Sequence, residues 1–207
     1  MKKEQNAEKT KVGKLARTKE KVSQWTTNPL NEKVLDYHNY EMTKSESVLY
    51  FVAAFLVGGV VSQFFYGGLF QEDGVPTLLT YISNSAAFVI VGLLVGKVFL
   101  PVRSRQLAEK RRDTLRRQFR DMLESLTASL AANSTVRDAF SSAYTDMCMQ
   151  YSDDALISKE LDQFRRAEQI NVTLDVMMDD FAKRSGVEEI QDFNNVFQVC
   201  YGPGGNM

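Results

Sequence analysis

Chemistry-bearing side chains are scarce in this 207-residue chain, which has one histidine, two cysteines and one tryptophan. No glycine-rich loop with lysine is present to cradle a phosphate, and no HExxH or paired CxxC is present to hold a metal. His38 has no acid, cysteine or histidine at metal-ligand spacing. Cys148 and Cys200 stand 52 residues apart in predicted helices, where reduced, buried thiols are expected. The pairs Asp153-Asp154 and Asp179-Asp180 read as helix caps or solvated faces rather than metal ligands. The expectation is a protein that is not an enzyme, with no catalytic residue, cofactor or metal.

Acidic and basic residues are missing where two long apolar runs occur. Val48 to Phe70 and Thr77 to Leu100 hold one lysine and no acid. Each exceeds the roughly 20 residues that cross a ~30 Å hydrocarbon core, and a six-residue acidic turn, Gln71 to Pro76, joins them. The pattern predicts a transmembrane helical hairpin. Thirteen Val, Leu and Phe residues in the first run favour insertion by roughly 4 to 8 kcal/mol. Without an acid or histidine in either run, ion transport is not expected. Gly92 and Gly96 form a small-xxx-small step, and Gly58, Gly59 and Ser62 offer a matching flat face. Asn84, with Ser83 and Ser85, reads as an interhelical hydrogen-bonding position or a polar site. Lys97 can snorkel at the inner end.

Charge divides the rest of the chain. Residues 1–47 carry ten Lys/Arg against seven Asp/Glu, and residues 101–120 carry eight against two. Residues 121–207 carry six against fifteen, a local charge of −9. The turn between the runs has no basic residue, so the positive-inside rule places both termini in the cytoplasm of a multi-pass inner-membrane protein. The first run is too long, and too far behind 47 polar residues, for a cleaved signal peptide.

Residues 1–47 have little apolar content before Val34, and predict a largely disordered or frayed basic segment. It is either a solvated tail or a contact for anionic lipid. Trp25, Tyr37 and Tyr40 mark an expected interfacial helix. From Arg103 to Ala132 the chain has neither Gly nor Pro, and Leu115, Phe119, Met122, Leu126 and Leu130 share one helix face. Pro101 suits the first turn of that helix or a break at the membrane exit. Ser134 is the expected N-cap of a helix with Val136, Phe140 and Tyr144, and Ser152 or Asp153 the cap of one with Ile157, Leu161 and Phe164. A further helix starts near Asn171, carries Leu174, Met177, Met178 and Phe181, and stops at Gly186. A last one carries Ile190, Phe193, Phe197 and Cys200. Methionines 122, 147, 149, 177 and 178 are expected to fill a core. The fold class is all-α: a two-span hairpin, 48–100, and a cytoplasmic helical bundle, 101–207.

The bundle resembles a known family. Arg116-Arg117-Gln118-Phe119-Arg120-Asp121-Met122-Leu123-Glu124-Ser125-Leu126 through Ala132 is similar to the opening helix of the type II secretion system F domain. Thr135-Val136-Arg137-Asp138-Ala139-Phe140, Glu160-Leu161, the run from Asn171 to Gly186 and the closing Gly204-Gly205-Asn206 follow in the same order. The resemblance is closest to the tight-adherence (Tad or Flp) pilus branch and covers about residues 105–207. It implies an inner-membrane platform that engages a secretion ATPase, feeds prepilin or pilus subunits into a filament, and works as a homo-oligomer or with a partner platform protein. Nucleic acid is not an expected partner. Family members continue past the Gly-Gly-Asn turn, so a truncated, split or accessory member is implied. Asn133-Ser134 also replaces the usual glycine. On this reading Arg112, Arg116 and Arg117 face lipid headgroups, while Glu188, Glu189 and Asp192 meet a basic ATPase surface. The alternative is a membrane-anchored helical adaptor or regulator without a motor.

Overall fold

The computed structural model describes residues 24–66, 71–72, 75–76 and 78–201. A short hairpin of β1 (Trp25–Thr27) and β2 (Lys33–Leu35) leads into α1 (Lys44–Tyr66). Strands β3 (Gln71–Glu72) and β4 (Val75–Pro76) pair within the turn. Then come α2 (Leu78–Ala131), α3 (Val136–Tyr151), α4 (Leu156–Gln169), α5 (Leu174–Ser185) and α6 (Glu188–Tyr201). The polybasic stretch before Gln24 and the closing glycines lie outside the described residues.

Helices α1 and α2 are long and apolar enough to cross a membrane. Their apolar windows are only 22% and 11% buried, so the protein itself does not cover them as it would a core helix. They pack by seating large side chains on glycines, not glycine on glycine. Phe51 lies over Gly96, Phe55 over Gly92, Phe88 over Gly59 and Val95 over Gly58. A Cβ at Gly59 would come within 2.3 Å of the Phe88 ring, so only a missing side chain admits that contact. The Phe55 and Phe88 rings meet edge to face at 5.6 Å. Outward, Val52, Leu56, Val60, Ile90, Leu93 and Leu94 are exposed.

Helix α2 does not break at Pro101. Its 54 residues run about 80 Å, from the hairpin into the bundle. The missing proline N–H removes one rung, and packing on both sides keeps the rest. Below Pro101 the face of Leu115, Phe119, Met122 and Leu126 is buried as its spacing predicts, but Leu130, next to the last residue of the helix, is exposed. Around that face lie Phe140 and Met147 of α3, Ile157, Leu161 and Phe164 of α4, Met177, Met178 and Phe181 of α5, and Ile190 and Phe197 of α6. Phe140 stacks on Phe164 at 5.3 Å, and Phe164 meets Phe181 edge to face at 6.3 Å. Met149 is 82% exposed, because it falls on the outer face of α3 between Met147 and Tyr151, and Cys200 is also exposed.

Turn chemistry moved several expected ends. Asn133 sits at φ 62° and closes α2 with the Ser134 N–H on the Ser129 carbonyl, 3.3 Å. Asparagine tolerates this left-handed position, so it can serve where a glycine is usual. The turn shifts the N-cap of α3 to Thr135, whose hydroxyl accepts from the Asp138 N–H at 3.2 Å. Helix α4 begins after Ala155 without a side-chain cap of its own. The side-chain Oε1 of Gln118 on α2 accepts its Ile157 N–H at 3.1 Å instead. Asn171, at φ 59°, belongs to the turn before α5, and Gly186, at φ 60°, ends α5 as its position predicts.

The expectation of disorder, or of an interfacial helix, fails over residues 24–43. Asn28 organises the β1–β2 turn by accepting from the N–H groups of Leu30 and Glu32. Val34 and Tyr37 are buried, and Tyr37 is 1% exposed. Low average apolarity hid this, since two anchoring side chains on a preformed turn suffice when the bundle supplies the surface.

Candidate functional site

The six residues expected to meet partners lie on α2 and the first turns of α6. Arg116 and Glu189, expected on separate surfaces, bind each other, with Nε 2.9 Å from Oε1. Arg116 also reaches Asp113 at 3.1 Å. The Glu189 carboxyl is held below its usual range, first by its own backbone N–H at the start of α6, then by Arg116, with Arg120 adding its charge. Arg112 is half-buried, its stem against the Gly186 turn. Arg117 is exposed and donates to the Thr114 hydroxyl at 3.3 Å. Glu188 and Asp192 are exposed beside Glu189. The basic stripe of α2 thus meets the acidic start of α6 through an exposed Arg116–Glu189 pair at the surface, and Glu188, Asp192 and Arg117 remain at its edges.

A second constellation is buried, and it joins three separate parts of the chain. Arg184 of α5 donates from Nη1 and Nη2 to both oxygens of Glu160 on α4, at 3.1 and 2.9 Å. Its Nε donates to Asp180 at 2.7 Å and its Nη1 to the Leu35 carbonyl at 2.9 Å. Tyr37 donates to Glu160 at 2.8 Å, and the Tyr37 N–H reaches the Arg184 carbonyl at 3.0 Å. Beyond it, Asn28 donates to Gln163 at 3.1 Å, and Arg166 pairs with Glu32 at 2.7 Å. Burial pushes the Tyr37 hydroxyl well above its ordinary value, and the Glu160 charge adds to that. Burial opposes the Arg184 charge, but Glu160 and Asp180 together more than offset it and raise its pKa. The Glu160 oxygens accept from arginine, tyrosine and, at 3.4 Å, Gln163. Such an arrangement clamps, since each Glu160 oxygen already accepts two hydrogen bonds.

The sequence carried one signal for this clamp. Glu160 shares a helix face with Ile157, Leu161 and Phe164, and a carboxylate on an apolar face needs a buried partner. Beside the clamp, a cavity of about 580 Å³ separates the strand hairpin from α4, with Trp25, Lys33, Arg111, Lys159 and Asp162 in its lining. Its charges are of both signs.

Among the described residues no group of three His, Cys, Asp or Glu is placed to hold a metal. Asp154 pairs with Lys159, Asp179 with Lys183, and His38 Nδ1 lies 2.9 Å from Asp36. Cys148 and Cys200 are free, and burial, with a hydrogen bond to Asp153, pushes the Cys148 thiol up, away from a reactive thiolate.

The helices run alternately down and up, so the end of α2, the start of α3, the end of α4, the start of α5 and the end of α6 share the end far from the hairpin. Arg137 pairs there with Glu168, and Gln198 donates to the Asp175 carbonyl. Leu130, Ile170, Val176, Val196 and Val199 are exposed at this end. No protein-family model, curated protein or solved structure matches the chain.

Proposed function

We propose that this is a non-catalytic inner-membrane platform component of a type II secretion or Tad-like pilus assembly machine. In this reading α1 and α2 span the bilayer, both termini are cytoplasmic, and the bundle couples a secretion ATPase to the assembly of pilin subunits. The observation that carries it is the architecture. A compact acidic five-helix body hangs on a helix that continues unbroken from an apolar hairpin. The ordered residues from Arg116 to Gly186 that resemble the F domain add to it. The exposed apolar end of the bundle, far from the hairpin, is where a motor would dock, and Glu188 and Asp192 are free to steer a basic surface.

The decisive experiment is purification of the full chain from its own membranes, followed by identification of what accompanies it. A secretion ATPase and pilus subunits are expected, with ATPase recovery reduced at low salt by Glu188→Lys with Asp192→Lys. A C-terminal reporter on the outer surface would end this reading. A second reading, a membrane-anchored adaptor without a motor, draws support from the Arg116–Glu189 pair, which ties these charges to each other. It predicts partners without an ATPase among them.

A further inference from the structure

Pro101 lies inside α2 at the level where the apolar hairpin gives way to the bundle. It cannot bond the Lys97 carbonyl, and its ring crowds the preceding turn, so α2 is weakest there in bending. Above it, α1 flanks α2 through Phe51 on Gly96 and Phe55 on Gly92. Just below it Arg103 still covers the Tyr50 ring of α1 at 5.1 Å, and from Ser104 on the residues before Lys44 take over. The Ser104 hydroxyl donates to the Tyr40 carbonyl at 2.7 Å, and the Arg111 guanidinium covers the Tyr40 ring at 4.6 Å. From there the chain reaches the Glu160–Arg184 clamp through Tyr37 and Leu35, and Gln163 through Asn28. At the other end, Glu46 accepts from the Thr43 N–H at 2.9 Å and fixes the start of α1.

We infer that residues 24–43 are a brace across Pro101, holding the angle between hairpin and bundle that α2 alone would not hold. The chain is tied on both sides of its weak rung: α1 grips α2 above it, and the strap grips α2, α4 and α5 below it. Force or binding at the bundle then reaches the hairpin as movement of one body. Release of the strap turns Pro101 into a hinge. This inference goes beyond the platform reading and does not depend on it, since it rests on the fold alone.

The test uses the full chain in phosphatidylcholine nanodiscs with Cys148→Ser and Cys200→Ser. Nitroxides at Val57→Cys and Met149→Cys, both exposed positions, report the hairpin-to-bundle distance. A single narrow distribution is expected. Asn28→Ala with Tyr37→Ala is expected to red-shift the emission of Trp25, the only tryptophan, and to roughly double the width. Adding Pro101→Ala should restore the narrow distribution. If the alanine pair costs helicity, Asn28→Ala with Tyr37→Phe, which keeps the ring, decides in its place. An unchanged width after Trp25 has shifted overturns the inference, as does broadening that Pro101→Ala fails to reverse. An unshifted Trp25 overturns it too, because these contacts would then not hold the strap.

Discussion

Arg184 grips both oxygens of Glu160, at 3.1 and 2.9 Å, with the two side chains 6% and 3% exposed. Each ion was taken out of water, and each depends on the other for compensation. Glu160→Ala leaves the guanidinium with Asp180 as its one ionic partner and opens a void beside Tyr37. The expected loss is about 3 to 5 kcal/mol, read from denaturant unfolding of the full chain in micelles. Glu160→Leu with Arg184→Met removes both charges and should cost markedly less than the single change. Equal losses would mean that the pair packs but does not compensate charge.

Tyr37 gives a pH signature at the other end of the same clamp. Its hydroxyl is raised well above the ordinary tyrosine value by burial and by Glu160. A group whose folded pKa is raised contributes its full stability below the unfolded value, near 10. That contribution is lost as pH rises from there through the folded value. Stability should therefore fall above about pH 10, and Tyr37→Phe should flatten that fall. In a spectroscopic tyrosinate titration, the same variant should lose the last step.

Helix faces were legible because burial in a bundle repeats every three or four residues. Leu115, Phe119, Met122 and Leu126 obey that period, and Gly186 marks a stop by its backbone conformation. The strap was not legible, since Val34 and Tyr37 sit in a polar context and gain their burial from helices more than 100 residues away. Continuation of α2 through Pro101 is a tertiary outcome, as is the borrowed cap from Gln118. The site residues were legible as charges but not as neighbours. Spacing along the chain cannot show that Arg116 meets Glu189, 73 residues further on.

That Arg116–Glu189 pair is expected to add little stability. Its side chains are 42% and 54% exposed, so water screens the attraction. A double-mutant cycle with Arg116→Ala and Glu189→Ala should return a coupling below about 1 kcal/mol, shrinking further in high salt. Glu189 is held below its usual range, so whatever it contributes is present above the unfolded carboxylate value and fades as pH falls through the folded one. A large, salt-insensitive coupling would show that the seam between α2 and α6 is a structural joint rather than a surface contact.

The hairpin offers the sharpest steric prediction. At Gly59 an added Cβ would lie 2.3 Å from the Phe88 ring, and at Gly92 it would meet the Phe55 carbonyl at 2.9 Å as well as its ring. The ring at Gly59 belongs to a side chain that can be shortened, whereas the backbone oxygen at Gly92 cannot be removed. Gly59→Ala should therefore destabilise the α1–α2 contact by about 1 to 3 kcal/mol, and Phe88→Leu should recover much of that loss. Gly92→Ala should be equally harmful, and Phe55→Leu should fail to rescue it. Unfolding of the full chain in mixed micelles measures both pairs. Rescue at both glycines, or at neither, would mean that α1 and α2 do not pack through these two contacts.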